Sequence, residues 1–259
     1  MDVNFIPKLK ELSQKYSAAE IANVELLDGA VRIDCDKGSY CFFYDFGKEW
    51  ALDGVTAVPL FHWQLKRKYS ELRSLLDRKM ITPALAMRIH HIVPHDAFTH
   101  SLKDIIVFEA NLLEFNTRSK VNKVFADFSG EIYTNCIMST DTNVKASMEL
   151  GFSPDKSEPV LLHEVVARTG VASDLPVDIQ MVQYPIYVIK GEETKVYNEI
   201  DFELYGMDNT EADCIRFILW ALTDIGRVDE LKADYARAEK VYEAAVESTA
   251  NLKYTEVEG

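Results

Sequence analysis

Five of the six histidines in this chain fall between positions 62 and 100: His62, His90, His91, His95 and His100. Residues 61–100 also hold Lys66, Arg67, Lys68, Arg73, Arg78, Lys79 and Arg88 against only Glu71, Asp77 and Asp96. The window is therefore basic by four charges in a chain of net charge −14. Imidazoles with a nearby carboxylate are the ligand types that hold zinc or another transition metal, so His91, His95 and Asp96 form a candidate metal set. The lysines and arginines offer a different chemistry, contact with phosphate or with an acidic partner. Complementary basic and acidic surfaces on one chain favour association with a second copy or another protein. On that reading Lys66, Arg67, Lys68, Arg73, Arg78, Lys79, His90, His91, His95 and His100 are the partner-binding residues.

His95-Asp96, with His62 or His91 upstream, resembles the H…HD…D pattern of the HD-type metal phosphohydrolases. The resemblance covers three or four residues and implies a metal-dependent hydrolase or nuclease with Asp104 or Asp127 as the last ligand. Asp178 with Glu193 and Lys195 is similar to the carboxylate and lysine set of restriction-type nucleases. Asp45-Phe46-Gly47 matches a kinase tripeptide, but no glycine-rich loop or H-R-D accompanies it. G-x-S-x-G, Walker A and the dinucleotide fingerprint G-x-G-x-x-G are absent. His163 stands alone on an apolar run and reads as a satisfied core residue.

The acidic balance argues against general nucleic-acid binding and against docking on anionic membranes. It also permits an acidic inhibitor or nucleic-acid mimic. Cys35, Cys41, Cys136 and Cys214 form no C-x-x-C pair and are expected to be reduced thiols in a cytoplasmic setting. The first residues show neither a basic start nor an apolar stretch, so no signal peptide is expected, and no uncharged apolar run reaches membrane-spanning length.

These residues must be positioned by regular elements. Pro7 opens a short amphipathic helix with Leu9, Leu12 and Tyr16, and Ser17–Glu20 reads as a capping box for another turn. Asp28-Gly29 and Lys37-Gly38 punctuate a β-meander over residues 23–46. Residues 59–91 read as two helices, the second opened by Thr82-Pro83 and closed by Pro94. Strands dominate 104–205, beginning with Ile105–Phe115, and the cleanest alternation runs from Val144 to Phe152. Two helices end the chain, one from about Asp208 to Gly226 and one over 228–250 with a seam of Leu231, Tyr235, Ala238, Tyr242 and Ala245.

The expected fold is α+β: a mostly antiparallel sheet over about 104–205, a small N-terminal meander and flanking helix pairs. A single domain over 1–259 is expected, with a possible subdivision at 1–100 and 101–259. The closing layout is loosely similar to adaptor proteins of phage head–tail necks. With no catalytic motif complete, the chain reads as a non-enzymatic structural or assembly protein, oligomeric or part of a viral particle, without a cofactor. The metal-dependent phosphohydrolase or nuclease and the acidic inhibitor are the alternatives.

Overall fold

The computed structural model describes residues 4–94, 101–153, 160–174, 186–190, 193–197, 207 and 209–258; for 186–197 only the backbone is considered. The fold is α+β and divides into two compact units whose segments alternate along the chain. One comprises Met1–Leu65, Asp96–His100 and Ile200–Ala236; the other comprises Lys66–His95, Ser101–Glu199 and Arg237–Gly259.

The smaller unit holds helix α1 (Phe5–Lys15) and strands β1 (Ile21–Leu27), β2 (Ala30–Cys35), β3 (Gly38–Phe43) and β4 (Thr56–Pro59). The strands lie side by side in chain order; β1, β2 and β3 are antiparallel, and β4 joins β3 in parallel. Both predicted turns are present. Gly29 sits at φ +93°, a conformation that favours glycine, and a Cβ there would lie 2.5 Å from the Cβ of Asp45. Gly29→Ala is therefore expected to destabilise this unit by about 1–3 kcal/mol, read as a lower urea midpoint followed by tryptophan fluorescence. An unchanged midpoint would show that the turn relaxes freely. The Ser17–Glu20 segment leads directly into β1 and forms no second helix.

Helix α4 (Asn209–Thr223) and the start of helix α5 (Gly226–Asn251) complete the unit, as the apolar spacing of both segments predicts. Lys37 Nζ donates to the carbonyls of Ala18 (2.7 Å) and Leu222 (2.6 Å), placing a cation at the C-terminal end of α4. Phe43, Phe46, Phe61, Trp63 and Tyr235 form an aromatic centre, with Phe46 stacked on Tyr235 at 5.4 Å.

In the larger unit the elements are α2 (Arg67–Asp77), β5 (Ala84–Val93), α3 (Leu102–Thr117), β6 (Val121–Ser129), β7 (Tyr133–Thr140), β8 (Lys145–Phe152), β9 (Val160–Ala167), β10 (Gly170–Ser173), β11 (Ile186–Lys190), β12 (Glu193–Tyr197) and β13 (Thr255–Glu256). The described strands form one sheet in the order β12-β11-β10-β9-β5-β8-β7-β6-β13. Every pairing is antiparallel except β5 with β8.

Two expectations are corrected here. Residues 84–93 are a central strand, not a second helix: Met87, Ile89, His91 and Val93 alternate inward while Arg88 is exposed. Residues 102–117 are a helix, not the first strand. Its start is fixed by Ser101, whose side chain accepts from Asp104 N while the Asp104 carboxylate accepts from Ser101 N. The inward sheet residues, among them Val124, Ala126, Cys136, Met138, Ala146, Met148 and Val165, form one apolar core with Ile105, Ile106 and Leu113 of α3 and Val241, Ala244 and Ala245 of α5.

A buried array of ionisable side chains

The polar centre of the larger unit lies inside that core and draws on two strands, two helices and the residue that follows a third strand. His91 comes from the inward face of β5, Glu109 from the middle of α3, His163 from β9, Asp174 from the residue after β10 and Lys68 from the first turn of α2. All five side chains are buried, Glu109 completely. His91 Nδ1 lies 2.6 Å from Glu109 Oε1. His163 Nε2 meets the same carboxylate at 3.1 and 3.2 Å. On its other side His163 Nδ1 is 3.2 Å from Asp174 Oδ2, which accepts from Lys68 Nζ at 2.9 Å.

Asp174 is anchored by the backbone as well. Its N–H donates to the carbonyl of His163, and its Oδ1 accepts from His163 N at 2.5 Å. Tyr69 stands edge-on to the His163 ring, and Phe108 edge-on to His91. Lys68 Nζ lies 4.7 Å from the centre of the Tyr69 ring. A cavity of about 10 Å³, room for about one water molecule, is lined by Lys68, Tyr69, Leu72, His163, Ser173 and Asp174.

The electrostatics follow from burial set against pairing. Burial opposes charge on Glu109, but the His163 cation and hydrogen bonds from His163 and His91 outweigh it and hold the carboxyl at about 2. Burial likewise disfavours the His163 imidazolium; the Glu109 charge and the bonds to Asp174 and Glu109 prevail and raise its pKa. For Asp174 burial is overcome by the Lys68 charge and by His163, so its carboxyl sits well below the usual range. Two carboxylates thus face the Lys68 ammonium and the His163 imidazolium, which donates from both ring nitrogens. The result is a continuous chain of hydrogen-bonded ionisable groups in which the protonation of one member is felt along the rest.

The structure sorts the sequence-predicted site residues into three groups. Lys68 and His91 turn inward and join the array. Arg67, Arg78 and Lys79 are exposed, while Lys66, Arg73 and His90 are half-buried. His90 Nδ1 is 3.1 Å from Glu149 on the outer face of the sheet. His95, Asp96, His100 and Asp178 lie outside the described residues. Among the described residues no group of three or more His, Cys, Asp or Glu side chains could hold a metal ion. Asp104 is spent on the α3 cap, and Asp127 is on the exposed side of β6. Sequence reasoning missed Glu109, Asp174 and Tyr69 as members of a site. Glu109 carried a signal: it is a lone acid inside Ile105-Ile106-Val107-Phe108-Glu109-Ala110, and a buried carboxylate needs partners.

No protein-family model and no curated protein matches the sequence. Solved structures do match the fold. An oxidoreductase from Agrobacterium radiobacter, in complex with NAD+, L-tartaric acid and magnesium, aligns with 78% of this chain at 11% identity and a TM-score of 0.63. The aldose-aldose oxidoreductase from Caulobacter crescentus, complexed with glycerol, aligns with 77% at 14% identity and a TM-score of 0.60. The scyllo-inositol dehydrogenase from Lactobacillus casei, with bound NAD(H) and scyllo-inositol, aligns with 78% at 14% identity and a TM-score of 0.56. The chain spans 65%, 63% and 65% of those three proteins in turn.

At these identities the likeness is one of fold. It nevertheless overturns the expectation of a non-enzymatic structural or assembly protein or viral particle component, because every protein named here is an oxidoreductase. The residues present do not fit the dinucleotide that two of them bind, since the sequence has no G-x-G-x-x-G and the larger sheet has one parallel pairing among its described strands. What this chain shares with the oxidoreductases is the α+β fold that holds the buried array.

Proposed function

We propose that this chain recognises and acts on a small polyhydroxylated molecule, of the cyclitol, aldose or hydroxy-acid class, at the carboxyl edge of β5 and β8. The observation that carries this reading is the fold held in common with oxidoreductases whose structures contain scyllo-inositol, glycerol and L-tartaric acid. Val93 and Phe152 are register partners at that edge, and α3 starts after it and runs back along the sheet to Glu109. Strand carboxyl ends beside a helix start are where open sheets present backbone groups to ligands.

His91 lies two residues from the end of β5, so the array reaches almost to the edge. Its part is that of a positioning group, held by the shared Glu109 carboxylate. A cytoplasmic setting belongs to the same proposal and is supported by four free cysteines. No helix among the described residues is long and apolar enough to cross a membrane.

Titration calorimetry with myo-inositol, scyllo-inositol, glucose and L-tartrate tests the reading. At least one is expected to bind with a Kd of about 1 mM or tighter, about −4 kcal/mol. His91→Gln is expected to weaken that binding, with the fold retained. A panel in which nothing binds would sink the reading.

A further inference from the structure

We infer that this chain carries no dinucleotide site of its own and takes up its small-molecule ligand independently of any dinucleotide; the second half of this statement rests on the ligand reading above. Dinucleotide sites of the doubly wound kind need three things at once. These are a parallel strand, a glycine turn that lets the pyrophosphate approach the backbone, and a helix N-terminus whose free N–H groups face it. Among the described residues, at least one requirement fails at each place where such a site could stand.

The glycine pattern is missing from all 259 residues, including those outside the described set. In the smaller unit the parallel pair β3 and β4 is joined by residues 44–55, in which no helix occurs. The turn after β4 carries Phe61 and Trp63, both buried, where a close approach would call for glycine. In the larger unit the parallel partner of β8 is β5, and the helix that follows β5 is α3. The first turn of α3 is already occupied. Ser101 and Asp104 satisfy each other's backbone N–H groups, and the Asp104 carboxylate, itself buried, fills the position of an incoming anion with negative charge. A pyrophosphate would have to displace that cap and face its charge, in a protein whose net charge is already −14.

Oxidoreductases that share this fold hold NAD+ or NAD(H). Here the fold recurs with its dinucleotide requirements unmet, so recognition of the small ligand must stand alone. NADH fluorescence and NAD+ calorimetry on the full chain, together with the polyol panel with and without NAD+, decide the matter. The expected result is no saturable NADH or NAD+ signal up to about 1 mM. The polyol Kd is expected to change less than about two-fold when NAD+ is added. Saturable dinucleotide binding below about 1 mM would overturn the inference and leave the ligand reading standing. So would polyol binding that tightens about ten-fold or more with NAD+, a coupling between two sites. Silence toward both dinucleotide and polyols would sink the ligand reading while the absence of a dinucleotide site stood.

Discussion

Replacing Glu109 by alanine is expected to lower the stability of the larger unit by about 3–5 kcal/mol. The carboxylate is fully buried and is the shared acceptor of His91 and His163. Its removal leaves an imidazolium in an apolar interior with half its partners gone, and the lost Coulomb attraction is not returned by water. Glu109→Gln keeps the shape and one acceptor and is expected to cost less, about 1–3 kcal/mol. Trp50, Trp63 and Trp220 all belong to the smaller unit, so their fluorescence would report on the wrong place. Backbone hydrogen exchange along β5 and β9 reads the sheet directly. A loss below about 1 kcal/mol for the alanine variant would mean that the array is not charged in the folded chain.

The second large effect is a dependence of sheet stability on pH with two opposing limbs. The Glu109 carboxyl is lowered from 4.5 to about 2 in the folded chain. A depressed carboxyl stabilises above its unfolded value, so its contribution of about 3 kcal/mol is complete above pH 4.5 and is lost as pH falls toward 2. Asp174, also depressed, adds to the same acid limb. His163 acts the other way. Its pKa is raised from 6.5, so its contribution is complete below that value and is lost as pH climbs past the raised one. Hydrogen exchange of β5 and β9, corrected for intrinsic rates, should therefore show greatest protection on a plateau between these limbs. Glu109→Gln should flatten the acid limb. A profile that stays level from pH 5 down to 2 would contradict the charge assignment.

Much of the fold was legible from local signals. Asp28-Gly29 and Lys37-Gly38 sit at hairpins, and the alternation from Val144 to Phe152 marks β8. The last two helices follow their apolar spacing. The failures share a physical cause. The proline just before β5 resembles a helix opener, although alternate residues from Met87 to Val93 face inward. The continuous apolar run of α3 suits a strand equally well, because a helix buried on most sides and a buried strand look alike in hydrophobicity. The Ser101-x-x-Asp104 box would have decided it. The array was less accessible still. Lys68 and Asp174 are 106 positions apart, and only tertiary folding brings them together. The basic window contains Lys68 and His91, two members of the array, but nearness in sequence does not show what either of them meets. Their partners, Glu109 and Asp174, lie beyond the window.

The central place of β5 has a consequence for synthesis on the ribosome. Both of its neighbours, β8 and β9, are made later; the register that pairs Ala86 with Lys145 spans about 60 residues. At about 5–20 residues per second, β5 waits roughly 3–12 s for its parallel partner and longer for the other. During that interval both of its edges are bare, and its inward row, His91 included, can pack only on α2 and α3, the helices made before β8. A central strand whose two neighbours are both distant in sequence raises the contact order and slows the approach to the native state. The His91–Glu109 contact can form as soon as α3 is made, but His163 reaches the same carboxylate only once β9 has joined β5, so the buried array is completed in two stages.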